Sequence, residues 1–345
     1  MPTIQVHTTP PYSIRIQHGW PVLPSLQATE VYIVSDSNVG ELYLGEVHGL
    51  FAHAGIRQYG QTFPAGESSK HLGTVQSLLE GFAEFGLTRS GLVVALGGGV
   101  VGDVAGFAAS IWLRGVPFLQ FPTTLLAMVD SSIGGKTGVD LDQGKNLVGS
   151  FHQPSGVFAN VDTLRTLPQE YIEDGLAEML KTCVLQDASL FERIVTKPSV
   201  ALEPESIARC AEIKANIVEQ DPTEKGVRKL LNLGHTAAHA IELASNFQIS
   251  HGHAVAIGMA MVARAGFSAG ITSAKCRNAI LHGLEATGLG TRSPYPVADL
   301  MAAMKRDKKR AGGTISLIVP RELGQCEILP MPLEQLEAFY EAAND

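Results

Sequence analysis

The sequence has few cysteines, and none of them forms a closely spaced pair. Its four cysteines, Cys183, Cys210, Cys276 and Cys326, are widely separated along the chain. A thiolate zinc site or a disulfide framework normally shows short or regular cysteine spacings. The distribution therefore argues against both kinds of site, and we expect a reducing, cytoplasmic environment.

A basic surplus is also missing, because the formal net charge is -8. Nucleic-acid-binding proteins carry basic faces, so we expect no nucleic-acid partner. The short basic cluster at residues 305–310 fits either a solvated helix end or an anion site.

Long uninterrupted hydrophobic segments are absent as well. The most apolar stretch, residues 91–113, is broken by several glycines, Asp103 and Ser110, so we expect no membrane span. Residues 1–11 lack the apolar core of a signal peptide, and none is expected.

What the sequence does contain is the composition and length of a folded two-domain protein. It has 345 residues, of which 45% are hydrophobic and 17% charged. The first half alternates short apolar runs with helical spacing, which predicts α/β architecture with a parallel sheet covered on both faces. Strands are predicted at residues 31–34, 92–96 and 118–121, and helices at 42–54 and 72–85.

The second half has a different pattern, dominated by helical spacing. We place the boundary within residues 160–168 and predict a mainly helical second domain. Helices are predicted at residues 170–185, 204–219, 227–244, 254–269 and 273–287, and extended segments at 314–319 and, more weakly, 326–329.

A glycine-rich turn follows the strand predicted at residues 92–96. Residues 97–102 match G-x-G-x-x-G, in which glycines let the backbone and a helix N-terminus approach a pyrophosphate. No Asp or Glu lies between Val104 and Val129 to bind a ribose, so this is not a standard dinucleotide unit. Asp36 or Glu67 could supply that acid. A tight turn without a ligand is the open alternative.

A second glycine-rich segment, residues 134–138, suggests a P-loop but does not match one. The first glycine of that motif would fall on Asp130, and no strand directly precedes it. We predict that Lys136, Lys145 and Asn146 lie in loops that bind an anion, with solvated loops as the alternative.

Histidines are concentrated in one stretch, since four of the eleven fall between residues 235 and 253. His235 and His239 have helical i, i+4 spacing, but the segment lacks the internal Glu of H-E-x-x-H. Glu178 lies among apolar residues of a predicted helix, where an unpaired carboxylate is costly. Two histidines and one carboxylate describe a catalytic zinc site. The alternative is structural histidines with a Glu178–Lys181 pair.

Other cations occur on these helices. Lys181, Lys214 and Arg228 could surround a small substrate that bears several negative charges.

Seven segments together resemble the sugar phosphate cyclase family and, within it, the 3-dehydroquinate synthase branch. They span residues 97–309 in the family's order and read GGGVVGDVAGF, FPTTLLAMVDSSIGGKTGVD, GKNLVGSFHQP, GLAEMLK, KLLNLGHTAAHAIE, HGHAVAIGM and RDKK.

This resemblance implies an NAD-binding domain of Rossmann-like type (1–165), a mainly helical metal- and substrate-binding domain (166–345), an active site in the cleft between them, and a homodimer. The implied ligands of Zn²⁺ or Co²⁺ are Glu178, His235 and His251. The implied dinucleotide residues are Asp36, Asn38, Glu67, Lys70, Gly98, Gly99, Asp103, Thr123, Thr124, Lys136, Lys145, Thr166 and Leu167. The implied substrate residues are Asp130, Lys136, Asn146, Lys181, Lys214, Arg228, Asn232, His239, Arg114 toward the neighbouring subunit, and Lys308 or Lys309.

The resemblance also implies a reaction, the conversion of 3-deoxy-D-arabino-heptulosonate 7-phosphate to 3-dehydroquinate. Hydride passes from C5 to bound NAD, phosphate is eliminated, the hydride returns to C5, and ring opening with an aldol closure gives the product. The enzyme is thus expected to be a carbon–oxygen lyase of the shikimate pathway.

One position departs from the family pattern. The family usually has H-G-E where this chain has His251-Gly252-His253. His253 could alter metal affinity or substrate preference through its neighbours. The alternatives are another sugar phosphate cyclase, a metal-dependent NAD alcohol dehydrogenase, and a non-catalytic NAD-binding protein.

Overall fold

A computed structural model describes residues 2–22, 28–52, 55–308 and 313–342, with the backbone alone for 305–308. The strands are β1 (Thr3–Val6), β2 (Tyr12–Gln17), β3 (Glu30–Asp36), β4 (Arg57–Phe63), β5 (Leu92–Gly97), β6 (Phe118–Pro122), β7 (Lys136–Leu141), β8 (Gly144–Phe151), β9 (Gly156–Asn160), β10 (Thr314–Glu322) and β11 (Gln325–Pro332). The helices are α1 (Ser37–Ala52), α2 (Leu72–Phe85), α3 (Gly99–Ile111), α4 (Gln169–Gln186), α5 (Ala188–Thr196), α6 (Pro204–Gln220), α7 (His235–Ala244), α8 (His251–Ser268), α9 (Ala274–Ala286), α10 (Val297–Lys308) and α11 (Leu336–Glu341).

The chain divides into two compact units. The first contains Met1–Leu167 and Ile207–Pro222, and the second contains Pro168–Ser206 and Thr223–Asp345. Most of α6 therefore belongs to the first unit, whereas sequence pattern groups it with the helical half. Helical periodicity shows which face of α6 is apolar, but not which neighbour that face packs against.

The first unit is built on a seven-stranded sheet in the order β1-β2-β9-β6-β5-β3-β4. Strands β2, β9, β6, β5, β3 and β4 pair in parallel, and β1 pairs antiparallel with β2. One face packs against Val47 and Phe51 of α1, and the other against residues of α2 and α3 such as Phe82 and Val104. The predicted parallel sheet covered on both faces is confirmed.

A separate hairpin of β7 and β8 belongs to the same unit. It carries Lys136 at the start of β7, and Lys145 and Asn146 in β8. The prediction that these residues lie in loops is wrong, because the glycines there serve close strand pairing. A Cβ at Gly138 would lie 2.6 Å from the carbonyl oxygen of Val148 on the partner strand.

The second unit is mainly helical, as predicted, with the β10–β11 hairpin as its described sheet. The single helix predicted at residues 227–244 is instead a 3-10 turn (Val227–Asn232) followed by α7. The break occurs at Gly234, whose φ of 80° is left-handed and favours glycine. His235 consequently becomes the first residue of a new helix.

Within the described residues, no helix combines the length and the apolarity that a membrane crossing requires.

Candidate functional site

Three helices of the second unit bring a carboxylate and two imidazoles together. Glu178 lies within α4, while His235 and His251 are the first residues of α7 and α8. One potential ligand atom from each side chain lies within 4.8 Å of the other two. Glu178 Oε1 is 3.2 Å from His251 Nε2 and 3.6 Å from His235 Nε2. These three residues are called the Glu–His–His cluster below.

Close backbone contact between the helices makes this convergence possible. A Cβ at Gly258 of α8 would overlap the carbonyl of Gly234, just before α7. A Cβ at Gly252 of α8 would overlap the backbone of Asp174 in α4. Side chains at these glycines would push the helices apart, so the glycines set the spacing of the Glu–His–His cluster.

The charges of the cluster are deeply buried. Glu178 and Lys181 are each 1% exposed, and their side chains form an ion pair one turn apart on α4. Burial alone raises the pKa of Glu178, but the Lys181 ammonium and a hydrogen bond donated by His251 hold it well below its ordinary value. Glu178 is therefore a carboxylate at neutral pH.

The two histidines differ in protonation. Burial, followed by the Lys181 charge, lowers the pKa of His235 to about 3, so its imidazole is neutral. Burial also acts to lower the pKa of His251, but hydrogen bonds to Glu178 and Glu242 raise it to about 10. The cluster thus holds one proton, on His251, at neutral pH.

Each histidine has a partner for its second ring nitrogen. His235 Nδ1 lies 3.1 Å from the carbonyl oxygen of Leu233, and His251 Nδ1 lies 3.5 Å from Glu242 Oε2. The Leu233 carbonyl fixes the tautomer of neutral His235, and both partners leave Nε2 of each ring directed at Glu178.

This donor set fits a divalent cation. Both carboxylate oxygens of Glu178 are buried, and nitrogens of Lys181, His235 and His251 approach them at ion-pair distances. Two imidazoles and one carboxylate are typical of catalytic zinc, with positions left for water or substrate. Glu178, His235 and His251 could hold such an ion.

In the first unit, residues predicted to contact a dinucleotide follow neighbouring strands. Asp36 ends β3, Gly98 follows β5, and Thr123 follows β6, at the carboxyl edge of the sheet. Asp36 Oδ1 accepts from the backbone N–H groups of Asn38 and Val39 at 2.9 Å and so caps α1.

The glycine turn leaves the start of α3 open to a ligand. Gly98 is its N-cap residue, and no side chain caps the helix. The buried Oγ1 of Thr123 has no hydrogen-bond partner. Uncapped N–H groups and an unsatisfied hydroxyl are what a pyrophosphate would engage, so the turn fits a dinucleotide.

The other predicted dinucleotide residues are mostly paired within the first unit. Lys70 Nζ lies 2.7 Å from Asp103 Oδ2, and Lys145 Nζ lies 3.4 Å from Glu67 Oε1. Thr124 accepts from the Ala127 N–H at 3.1 Å, and the hydroxyls of Thr166 and Tyr43 are hydrogen-bonded at 2.5 Å. Gly99 is the first residue of α3, and Asn38 lies in α1. Leu167 ends the first segment of the first unit.

Predicted substrate residues are found in both units. In the first, Lys214 Nζ lies 2.8 Å from Asp130 Oδ1 and donates to the Asp130 carbonyl at 2.7 Å. Arg114 has a left-handed φ of 70°. In the second unit, Arg228 is 2% exposed, Asn232 donates to Glu224 at 2.5 Å, and the rings of His239 and His235 are 5.6 Å apart.

Lys309 and the side chain of Lys308 lie outside the described residues.

Sequence reasoning missed two acids beside the Glu–His–His cluster. Glu242 contacts His251, and Asp174 accepts hydrogen bonds from the start of α8. Helical spacing could have identified both, because Asp174 precedes Glu178 by four residues and Glu242 follows His235 by seven.

Comparison with known proteins gives a consistent set of relatives. Residues 61–174 match the 3-dehydroquinate synthase N-terminal family, and residues 175–310 match the 3-dehydroquinate synthase C-terminal family. The 3-dehydroquinate synthase of Xylella fastidiosa (strain M23) is 42% identical, with 95% of this chain and 94% of that protein covered.

Two solved structures are similar over almost their full lengths. A 2-epi-5-epi-valiolone synthase from Streptomyces hygroscopicus subsp. jinggangensis 5008, with NAD⁺ and Zn²⁺ bound, has a TM-score of 0.88 and 27% identity, covering 96% of this chain and 95% of that one. A 2-deoxy-scyllo-inosose synthase complexed with carbaglucose-6-phosphate, NAD⁺ and Co²⁺ has a TM-score of 0.88 and 25% identity, covering 98% of each chain or more.

Proposed function

The chain belongs to the 3-dehydroquinate synthase family, and on that basis we propose that it converts 3-deoxy-D-arabino-heptulosonate 7-phosphate to 3-dehydroquinate and phosphate. The same proposal includes four finer statements: the enzyme is a carbon–oxygen lyase, it forms a homodimer, it is cytoplasmic, and its functional domains are residues 1–165 and 166–345. The observation that carries it is the Glu–His–His cluster in a chain whose family match covers residues 61–310.

The proposed cofactors are NAD and a divalent cation, Zn²⁺ or Co²⁺, as in the two solved cyclases. Together they supply reversible hydride transfer and Lewis-acid activation of an alcohol when bound. Glu178, His235 and His251 would hold the cation, and the open start of α3 with Thr123 would bind the pyrophosphate.

The chain's own side chains would orient the substrate by charge. Lys136, Asn146 and His239 are assigned to the phosphate, and Lys214 and Arg228 to the carboxylate and hydroxyls. Arg228 is 2% exposed, so water screens its charge little and its attraction for an anion is strengthened. Holding both ends of the substrate supplies a large part of the rate through positioning.

A single assay tests this function. Purified protein with NAD and a divalent cation is given the heptulosonate phosphate, and phosphate, 3-dehydroquinate and NADH absorbance are followed together. We expect phosphate and 3-dehydroquinate in equal amounts without accumulation of NADH. Removal of the cation by a chelator abolishes both products, and Zn²⁺ or Co²⁺ restores them. NADH rising in step with product would instead indicate an alcohol dehydrogenase.

A second candidate is another sugar phosphate cyclase, favoured by the structural similarity to two cyclases of other names. The identity of 42% to a 3-dehydroquinate synthase weighs against it. Phosphate release from other heptulose or hexose phosphates, in the absence of activity on the heptulosonate phosphate, would establish this alternative.

A further inference from the structure

Helix α8 begins without a cap of its own. Its N-cap residue, Ser250, makes no side-chain hydrogen bond to the first turn. The Ser250 hydroxyl instead donates to Asp174 Oδ1 of α4 at 2.5 Å. The Ser250 side chain, which in an ordinary cap would accept from the free N–H groups of the helix start, is therefore bonded to another helix.

Asp174 takes over the capping of α8. The same Oδ1 atom accepts from the backbone N–H groups of Gly252 at 3.0 Å and His253 at 3.3 Å. Asp174 is 8% exposed, so these bonds form where water competes little. A carboxylate at a helix N-terminus also interacts favourably with the helix dipole.

The His253 side chain completes this arrangement. Because Ser250 donates its proton to Asp174, its oxygen accepts from His253 Nδ1 at 2.9 Å, and Nδ1 also lies 3.3 Å from Asp174 Oδ1. The other ring nitrogen, Nε2, lies 3.4 Å from Glu173 Oε2. His253 thus connects α8 to two adjacent acids of α4.

These contacts surround a residue of the Glu–His–His cluster. His251 lies between Ser250 and Gly252, both bonded to Asp174, and Asp174 lies one helical turn before Glu178 on α4. Asp174 therefore links the backbone on either side of His251 to the helix that carries Glu178.

We propose that Asp174 is the positioning residue of the metal centre, capping α8 from α4 and so fixing the separation between His251 and Glu178. His253 and Ser250 support it by holding its carboxylate. This inference rests on the proposed metal site, so its test measures metal binding without substrate and does not depend on which reaction the enzyme catalyses.

The test compares three variants with the wild-type chain, by Co²⁺ affinity of the metal-free protein and the visible absorption spectrum of the Co²⁺-loaded protein. Asp174→Ala is expected to weaken Co²⁺ binding about 10- to 100-fold and to change the spectrum, as loss of a ligand-orienting partner does. Asp174→Asn is expected to bind Co²⁺ almost as tightly as wild type, because asparagine caps helices about as well as aspartate.

Asp187→Ala is the matched control. Asp187 caps α5 in the same unit by accepting from the Leu190 N–H at 2.9 Å, and it follows the end of α4, nine residues after Glu178. It is expected to lower thermal stability without changing Co²⁺ affinity or the spectrum. If Asp174→Ala also changed only thermal stability, Asp174 would be a structural cap and the proposal would fail. A wild-type chain that binds no Co²⁺ would overturn the metal site and the positioning role together.

Discussion

The two units hold their charged site residues in different ways. In the first unit the cations and acids are already matched, as in Lys70 with Asp103 and Lys214 with Asp130. In the second unit Glu178 is paired with Lys181 and also faces two imidazoles, one of which, His251, carries an exchangeable proton. An ion pair carries no exchangeable positive charge, whereas a proton can be exchanged for a metal ion. We therefore expect the second unit to be the one whose charge changes when a metal ion binds.

The largest effect on stability and metal binding is expected when the negative charge of Glu178 is removed. Glu178→Gln leaves the Lys181 ammonium buried without its carboxylate, which should destabilise the metal-free protein by about 3 kcal/mol or more. Loss of a ligand should also weaken Zn²⁺ and Co²⁺ binding by more than about 100-fold. Chemical denaturation and metal titration measure the two effects. Unchanged metal affinity would show that the ion binds elsewhere.

Proton exchange at His251 predicts a pH dependence of metal affinity. The pKa of His251 in the metal-free protein is raised to about 10, so a metal ion must displace one proton. Affinity should therefore rise about tenfold per pH unit until that pKa is reached. Since the folded pKa lies above the ordinary 6.5, the proton stabilises the metal-free chain fully below 6.5 and less as pH rises toward 10.

Metal titrations at several pH values, in buffers that do not bind metal, test this dependence. An affinity independent of pH would contradict an exchangeable proton on His251.

Matched glycine substitutions compare the packing at a helix contact of the second unit with that at a helix of the first. Gly258→Ala would place a methyl group against the Gly234 carbonyl, and should cost about 1–3 kcal/mol of stability and weaken metal binding. Gly102→Ala in the first unit meets the end of the Gln120 side chain at 2.8 Å, which can move, so its cost should be smaller. Thermal denaturation and Co²⁺ affinity of both variants provide the comparison. If both variants changed Co²⁺ affinity equally, the backbone contact at Gly258 would have no specific role in metal binding.

The smallest expected effect is in the first unit. Asp103→Asn keeps an acceptor for Lys70 but removes its charge. Because the Asp103 side chain is more exposed than that of Glu178, the change should cost only about 1 kcal/mol, and it should weaken NAD binding. Co²⁺ affinity should stay unchanged. Glu212→Gln, in an exposed pair with Arg209, serves as the control, with almost no effect on stability or NAD binding. A change in Co²⁺ affinity on Asp103→Asn would mean that the two units' charges are coupled.

Local pattern predicted the elements of the fold well where apolar runs were long. Strands β3, β5 and β6 and helices α4, α8 and α9 lie where short apolar runs and helical spacing placed them. Strand β4 was missed because its sequence, RQYGQTF, is largely polar and its residues are mostly half-exposed. The edge position explains this, since an edge strand needs fewer apolar residues.

The residues of the Glu–His–His cluster could be predicted from the sequence, but the residues that support them could not. Residue type and family resemblance identified Glu178, His235 and His251. Neither could identify Asp174 as the cap of α8, because the bonds join residues 76 and more positions apart. Likewise, the helix breaks at Gly234 because the backbone there contacts α8. The periodicity of residues 227–244 carries no information about that contact.

The backbone contacts at Gly234, Gly252 and Gly258 have a consequence for how the protein can change. Where two helices meet through side chains, a substitution alters their spacing by small steps. Where they meet through backbone, no smaller residue exists and any larger one separates them. The spacing of the Glu–His–His cluster therefore cannot change by small steps. New substrate preferences must arise at side chains away from these helix contacts.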